Sequence, residues 1–182
     1  MSTTTWQPML NVPVSPARDH IRGIATAPVT LVEYGDYECP YCGLAHAVIH
    51  AVEEQAGDRL AFVFRHFPLT NIHPHAAPAA EAAEAAGAQG KFWPMHDLLY
   101  ENQQHLEATD LLAYAGSLGL DIDQFSRDLA QGAYNAKIAD DFMSGVRSGV
   151  NGTPTFYING RRHDGGWDLV SLTAALQATV AL

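Results

Sequence analysis

Val29-Thr30-Leu31-Val32-Glu33-Tyr34-Gly35-Asp36-Tyr37-Glu38-Cys39-Pro40-Tyr41-Cys42 passes from one structural period to another. Val29 to Tyr34 is a mostly apolar, β-branched run of strand length, suited to the middle of a sheet. Asp36-Tyr37-Glu38 reads as a loop. From Pro40 the period becomes helical: Ala45, Val48, Ile49 and Val52 share one face, and His46, His50, Glu53 and Glu54 lie on others. Proline is accepted in the first turn of a helix, where its missing N–H costs nothing, and Gly57 marks the stop. Leu60 to Arg65 is a second apolar strand, ended by Pro68. Strand, Cys motif, helix and strand form a βαβ unit, which favours a parallel pair with a right-handed crossover.

Outward from this unit, residues 1–28 carry Pro8, Pro13 and Pro16 and read as an N-terminal arm or edge strand, with a turn near Gly23. Residues 73–148 are helical throughout, beginning with the Ala-rich Ala76 to Ala88. Alanine has the best helix propensity, and its small side chain permits close helix packing. After Gly149, Thr155 to Ile158 and Arg161 to His163 flank Asn159-Gly160, a strong hairpin signal, and Asp168 to Val180 is a final helix. The economical layout is a small α/β sheet, residues 29–72 and 149–182, interrupted by a helical subdomain, residues 73–148.

The chain has 182 residues, 47% of them hydrophobic and 16% charged, enough to bury a core and too apolar for disorder. Acidic residues outnumber basic ones 20 to 10, for a formal charge of −10. Such a surface repels nucleic acid and anionic membranes. No segment approaches the roughly 18 apolar residues that span a bilayer, so membrane insertion is not expected. Met1 to Asn11 lacks a basic then apolar leader, giving a cytoplasmic expectation, or an extracytoplasmic one if a leader has been removed. A Cys pair in the cytosol is more often catalytic, redox-sensing or metal-binding than structural.

The two cysteines, Cys39 and Cys42, are the only ones in the chain. Two intervening residues let the sulfurs meet in a disulfide. The helix start offers unpaired N–H groups and positive partial charge, which stabilise a thiolate on Cys39. The position is expected to leave Cys39 exposed and Cys42 one turn inside, so that Cys39 attacks and Cys42 resolves the mixed disulfide. The competing readings are a zinc half-site, which lacks a second Cys pair, and a pair of ordinary buried thiols.

These residues resemble the thioredoxin superfamily, and the chain from about Asp19 to its end resembles the DsbA-like branch. The specific marks are Val32 to Cys42, Arg65-His66-Phe67-Pro68-Leu69 and Gly152-Thr153-Pro154-Thr155-Phe156. Ala80 to His96 is similar to DsbA-like domains fused to some bacterial sodium/proton antiporters. The resemblance implies an α/β thioredoxin fold with a helical insertion between its βαβ half and its C-terminal ββα half. It also implies a cis Pro154 facing the Cys pair, against the alternative of an ordinary turn proline. Thr153 would meet substrate backbone, with Pro40 and Tyr41 completing the substrate-facing set. Glu33, six positions before Cys39, matches a buried acid beneath the active site that could exchange a proton with Cys42; the alternative is a strand-end carboxylate reaching water. Tyr41 stands where the best-known DsbA motif has His, so no cation lies between the cysteines.

The expected function is a DsbA-like thiol–disulfide oxidoreductase acting as a monomer on disulfide or dithiol proteins or on small-molecule disulfides. It would exchange electrons with a redox partner and need no bound cofactor or metal. The Pro-Tyr pair also resembles glutaredoxins, which would make glutathione a co-substrate. A non-catalytic redox-sensing or partner-binding module is the alternative of another class. His46 and His50 are expected to be solvated, and His66, His73 and His75 to be loop histidines, metal binding being the less favoured reading. Phe92, Trp93 and Trp167 are expected in the core.

Overall fold

A computed structural model describes residues 8–180 of the chain; residues 1–7 of the expected arm lie outside the described residues. The central strand β2 (Val29–Gly35) is followed by α1 (Pro40–Ala56) and β3 (Leu60–His66). β2 and β3 run parallel, with Val29 opposite Leu60 and Gly35 opposite His66, as the βαβ reading requires. The other strands are β1 (His20–Gly23), β4 (Thr155–Ile158) and β5 (Arg161–His163), and the sheet order is β1-β3-β2-β4-β5. β1 borders β3 antiparallel at one edge of the sheet.

Burial explains the composition of the middle strands. All seven residues of β3 are buried, and alternation sends Phe62 and Phe64 to one face and Val63 and Arg65 to the other. The β4–β5 hairpin turns at Asn159 and Gly160, both with positive φ, the geometry that makes Asn-Gly a hairpin signal. The Asn159 side chain also accepts a hydrogen bond from the Thr30 N–H, tying the turn to β2.

Between β3 and β4 the chain forms α2 (Ala76–Ala88), α3 (Phe92–Glu101), α4 (Ala108–Ser117), α5 (Ile122–Gln131) and α6 (Asn135–Ser148); α7 (Leu169–Val180) closes it. Ala79, Ala82, Ala83 and Ala86 of α2 are buried, and their small side chains let α3 and α5 pack close against that helix. α1 packs against α7 and α3 on the Phe62/Phe64 face, whereas α6 covers β3 from the side of Val63 and Arg65. No helix among the described residues is long and apolar enough to cross a membrane.

Two histidine expectations are overturned. His66 is not in a loop: it is the buried last residue of β3, held by Glu84 at 2.8 Å. His46 is not solvated: α1 buries a second side beneath α3, and His46 packs there against Tyr100 and His96. A single apolar stripe does not reveal this second contact.

Candidate active site

Cys39 is the N-cap of α1 and Pro40 occupies its first turn. The loop leading to Cys39 is fastened by acids and amides that its own sequence hardly advertises. Asp36, buried, accepts from the Glu38 and Leu69 N–H groups and from His73 Nδ1, each at 2.8 Å. Glu38 accepts from the His75 backbone at 2.6 Å and from its ring at 3.0 Å. His73 and His75 thus stitch the loop after β3 to the loop before the cysteines. Gln103 then donates to the carbonyls of Tyr37 and Cys39, both at 2.8 Å. It lies so near Gly43 that a Cβ there would meet its Oε1 at 2.1 Å and the Gln103 amide would have to shift.

Cys42 is completely buried, one turn inside, but Cys39 is 4% exposed and not open as the sequence suggested. The cover is the segment before β4. Cys39 Sγ lies 3.4 Å from the Thr153 carbonyl oxygen, to which the thiol donates, and the Thr153–Pro154 peptide is cis. Of the residues expected to face substrate, Thr153 and Pro154 are half-buried beside Cys39, whereas Pro40 and Tyr41 are exposed at the helix start.

The two thiols are unequal. A hydrogen bond from Cys42 is the main influence that holds Cys39 down to about 5; burial opposes it, and Thr153 and the backbone N–H groups of Cys42 and Tyr41 assist it. The Thr153 hydroxyl is otherwise unpartnered and is free to donate to the thiolate. Neighbouring donors therefore do what a cation at Tyr41 would otherwise do. Burial, the hydrogen bond to Cys39 and the charge of Glu33 push Cys42 well above an ordinary thiol.

Glu33 is buried, not a strand-end group in water, and its Oε1 has no hydrogen-bond partner. Desolvation, reinforced by the Cys39 charge and offset in part by Arg22, raises its pKa from 4.5 to about 8. An acid with that pKa is half-titrated at mildly alkaline pH and can take a proton as readily as give one. Tyr100, whose hydroxyl is also buried and unpartnered, and Tyr37, which meets His96 Nδ1 at 3.0 Å, pack behind the Cys loop. Asp36, Gln103 and Tyr100 were invisible in the sequence because each acts across long separations; Asp36 alone had a hint, sitting in the motif.

The family model described as thioredoxin matches residues 16–178. Among solved structures, a thioredoxin-like oxidoreductase from Silicibacter pomeroyi is 30% identical, with a TM-score of 0.77 and 92% of each chain covered. BdbD of Bacillus subtilis is 21% identical with a TM-score of 0.81, covering 96% of this chain and 99% of that one. The α-DsbA1 protein of Wolbachia pipientis is 21% identical with a TM-score of 0.78, covering 93% and 94%. A curated relative, a Na(+)/H(+) antiporter NhaA from Salinispora arenicola, is 52% identical over 94% of this chain, which spans only 26% of that protein. The match to the thioredoxin model runs through the sheet, the inserted helices and the final helix alike, and the chain belongs to the thioredoxin family.

Proposed function

We propose that the chain is a thiol–disulfide oxidoreductase exchanging the Cys39/Cys42 dithiol with disulfides of proteins or small molecules. The observation that carries the reading is the inequality of the pair: Cys39 capping α1 beside Thr153, Cys42 buried above an unpartnered Glu33. DsbA-like structural neighbours support the same class.

In the reducing direction the Cys39 thiolate attacks one sulfur of a substrate disulfide. An S–S bond forms to Cys39, the substrate S–S bond breaks, and the departing thiolate takes a proton from solvent. Cys42 then gives its proton to the Glu33 carboxylate and attacks Cys39 Sγ. The Cys39–Cys42 disulfide forms as the second substrate thiolate leaves, so two electrons have passed to substrate. Oxidation is the reverse sequence. Thr153 and Pro154 position the substrate chain against Cys39, Pro40 and Tyr41 form the exposed side of the contact, and no bound cofactor is needed.

The test is turnover of a protein disulfide with excess reductant. Wild type should cycle many times, Cys39→Ser not at all, and Cys42→Ser should accumulate the mixed disulfide. Equal turnover by Cys39→Ser would refute the proposal. The span of the chain within antiporter-named relatives favours a second reading, a redox-sensing module that accompanies a transporter. That reading predicts one stoichiometric oxidation per chain without repeated turnover, and a rate that glutathione accelerates selectively would instead mark a glutaredoxin-like reductase.

A further inference from the structure

Two histidines of α1 and one acid of α3 form a cluster that disulfide exchange does not use. His46 and His50 are one turn apart on α1, and Asp97 faces them from α3. One ligand atom from each of the three residues lies within 4.8 Å of the other two. Asp97 Oδ1 is 3.3 Å from His50 Nε2 and 3.7 Å from His46 Nε2. A tetrahedral ion with bonds of about 2.0–2.1 Å holds its ligand atoms roughly 3.3–3.4 Å apart, so these spacings are close to the edges of a coordination tetrahedron.

A second observation points to a ligand independently. His46 is more than nine-tenths buried, and its Nε2, aimed at Asp97, has no hydrogen-bond partner. A buried ring nitrogen without a partner forfeits its hydration unless something else fills the place. The surroundings suit a dication. Arg22 is paired with Glu53 through two bonds of 2.8 and 2.7 Å, and its Nη1 donates to both Asp97 oxygens, Oδ1 at 3.0 Å and Oδ2 at 3.3 Å, leaving the second lone pair of Oδ1 for an ion. The two carboxylates outweigh the one guanidinium, and Arg22, stacked over Trp93, fixes Asp97 as an outer-sphere support would. The fourth position has an approach, because His50, Asp97, Arg22 and Glu53 line an open cleft of ≈ 560 Å³.

We propose that His46, His50 and Asp97 form a binding site for a zinc-class divalent cation, with one coordination position left for water or an exogenous ligand. Two imidazoles and one carboxylate exclude magnesium and calcium, which require oxygen ligands, and favour borderline cations. The other convergent group, His66, Glu84 and Asp141, is a poorer candidate because its ligand atoms are engaged by one another and by His20, Arg18 and Lys137, whereas in the first cluster only the Asp97 oxygen is engaged, by Arg22.

The experiment titrates Co(II), then Zn(II) in competition, into the full chain carrying Cys39→Ser and Cys42→Ser, which removes the thiolates as ligands. One equivalent should bind and give the visible absorption of four-coordinate Co(II). In that background His50→Ala and Asp97→Asn, both at partly exposed positions, should each weaken binding about tenfold or more, with circular dichroism unchanged. His46→Ala should do the same but risks the packing under α3, so His50→Ala decides. Glu84→Gln should leave the affinity as it was. Absence of binding to the double Cys variant, unchanged affinity in His50→Ala, or loss of binding in Glu84→Gln would each overturn the site.

Discussion

The two faces of the central sheet bury charge in opposite ways. Glu33 and Tyr34 are neighbours in β2, as Phe64 and Arg65 are in β3, and alternation sends them to opposite sides. On one side the Arg65 guanidinium, wholly buried, is bound by both oxygens of Asp19 at 2.9 and 3.1 Å, by the carbonyls of Val12 and Pro13 and by the Tyr34 hydroxyl. Tyr34 continues to Ser144 and Ser144 to the Asp141 carbonyl. On the other side the Glu33 carboxyl has an oxygen with no partner, and so does the Tyr100 hydroxyl. A buried ion with every hydrogen bond made is a fixed part of the structure. A buried acid denied partners is held near neutrality and becomes a proton store. The fold anchors its N-terminal segment with the first and sets the second close enough to Cys39 and Cys42 for their charges to act on one another.

The strongest way to break this comparison is Arg65→Ala. It leaves buried Asp19 with only Arg18 and the Ser15 N–H as partners and should cost about 3–5 kcal/mol, read as a lower urea midpoint. A cost under about 1 kcal/mol would mean the partnered face is no more structural than the other.

Glu33→Gln tests the opposite face. The folded pKa of about 8 lies above the ordinary 4.5, so the wild-type contribution to stability is intact below pH 4.5 and is lost as pH rises through 8. The variant should match wild type near pH 4 and exceed its stability above pH 8, by up to about 5 kcal/mol. It should also slow the release of substrate from the Cys39 mixed disulfide about tenfold near neutral pH. Equal pH–stability curves would sink the proton-store role.

A smaller effect concerns Cys39. Its folded pKa of about 5 is below 9.0, so thiolate stabilisation of the reduced protein is complete above pH 9 and lost as pH falls through 5. Alkylation of Cys39, followed by mass spectrometry, should titrate with a midpoint near 5, and Thr153→Val should move that midpoint upward by a fraction of a unit. A midpoint near an ordinary thiol would remove the inequality on which the mechanism rests. The smallest effect is expected for Tyr100→Phe, which deletes an unpartnered hydroxyl and should change stability by no more than about 0.5 kcal/mol, toward greater stability. A large loss would reveal a partner for that hydroxyl.

The arrangement of the Cys pair was legible because it is local. A β-branched run, a proline in a helical first turn and two cysteines three apart place strand, loop, helix and thiols within 14 residues. The Asn159-Gly160 hairpin and the alanine helix were legible for the same reason: short-range backbone and side-chain preferences dictate them. The family resemblance added Thr153, Pro154 and Glu33, which lie outside what spacing can connect. Burial was the weak point. Cys39 was read as open because a helix start in a loop is usually exposed, and the Thr153 segment covers it only after the sheet has formed. His46 and His66 were misplaced because helix and strand patterns report one packed face, whereas α1 and β3 are packed on two.

By itself the sequence determined the elements, the parallel pairing of β2 with β3 and the place of the two cysteines at a helix start, because periodicity, turn chemistry and short loop closure act between near neighbours. Only the tertiary structure decided which polar groups would be satisfied. Asp36 reaches the Leu69 N–H, Gln103 reaches the Cys39 carbonyl, and Asp97 meets His46 and His50, while Glu33 Oε1 is left without a partner. Those outcomes depend on where distant segments come to rest, and desolvation then converts that placement into the unequal proton affinities of Cys39, Cys42 and Glu33.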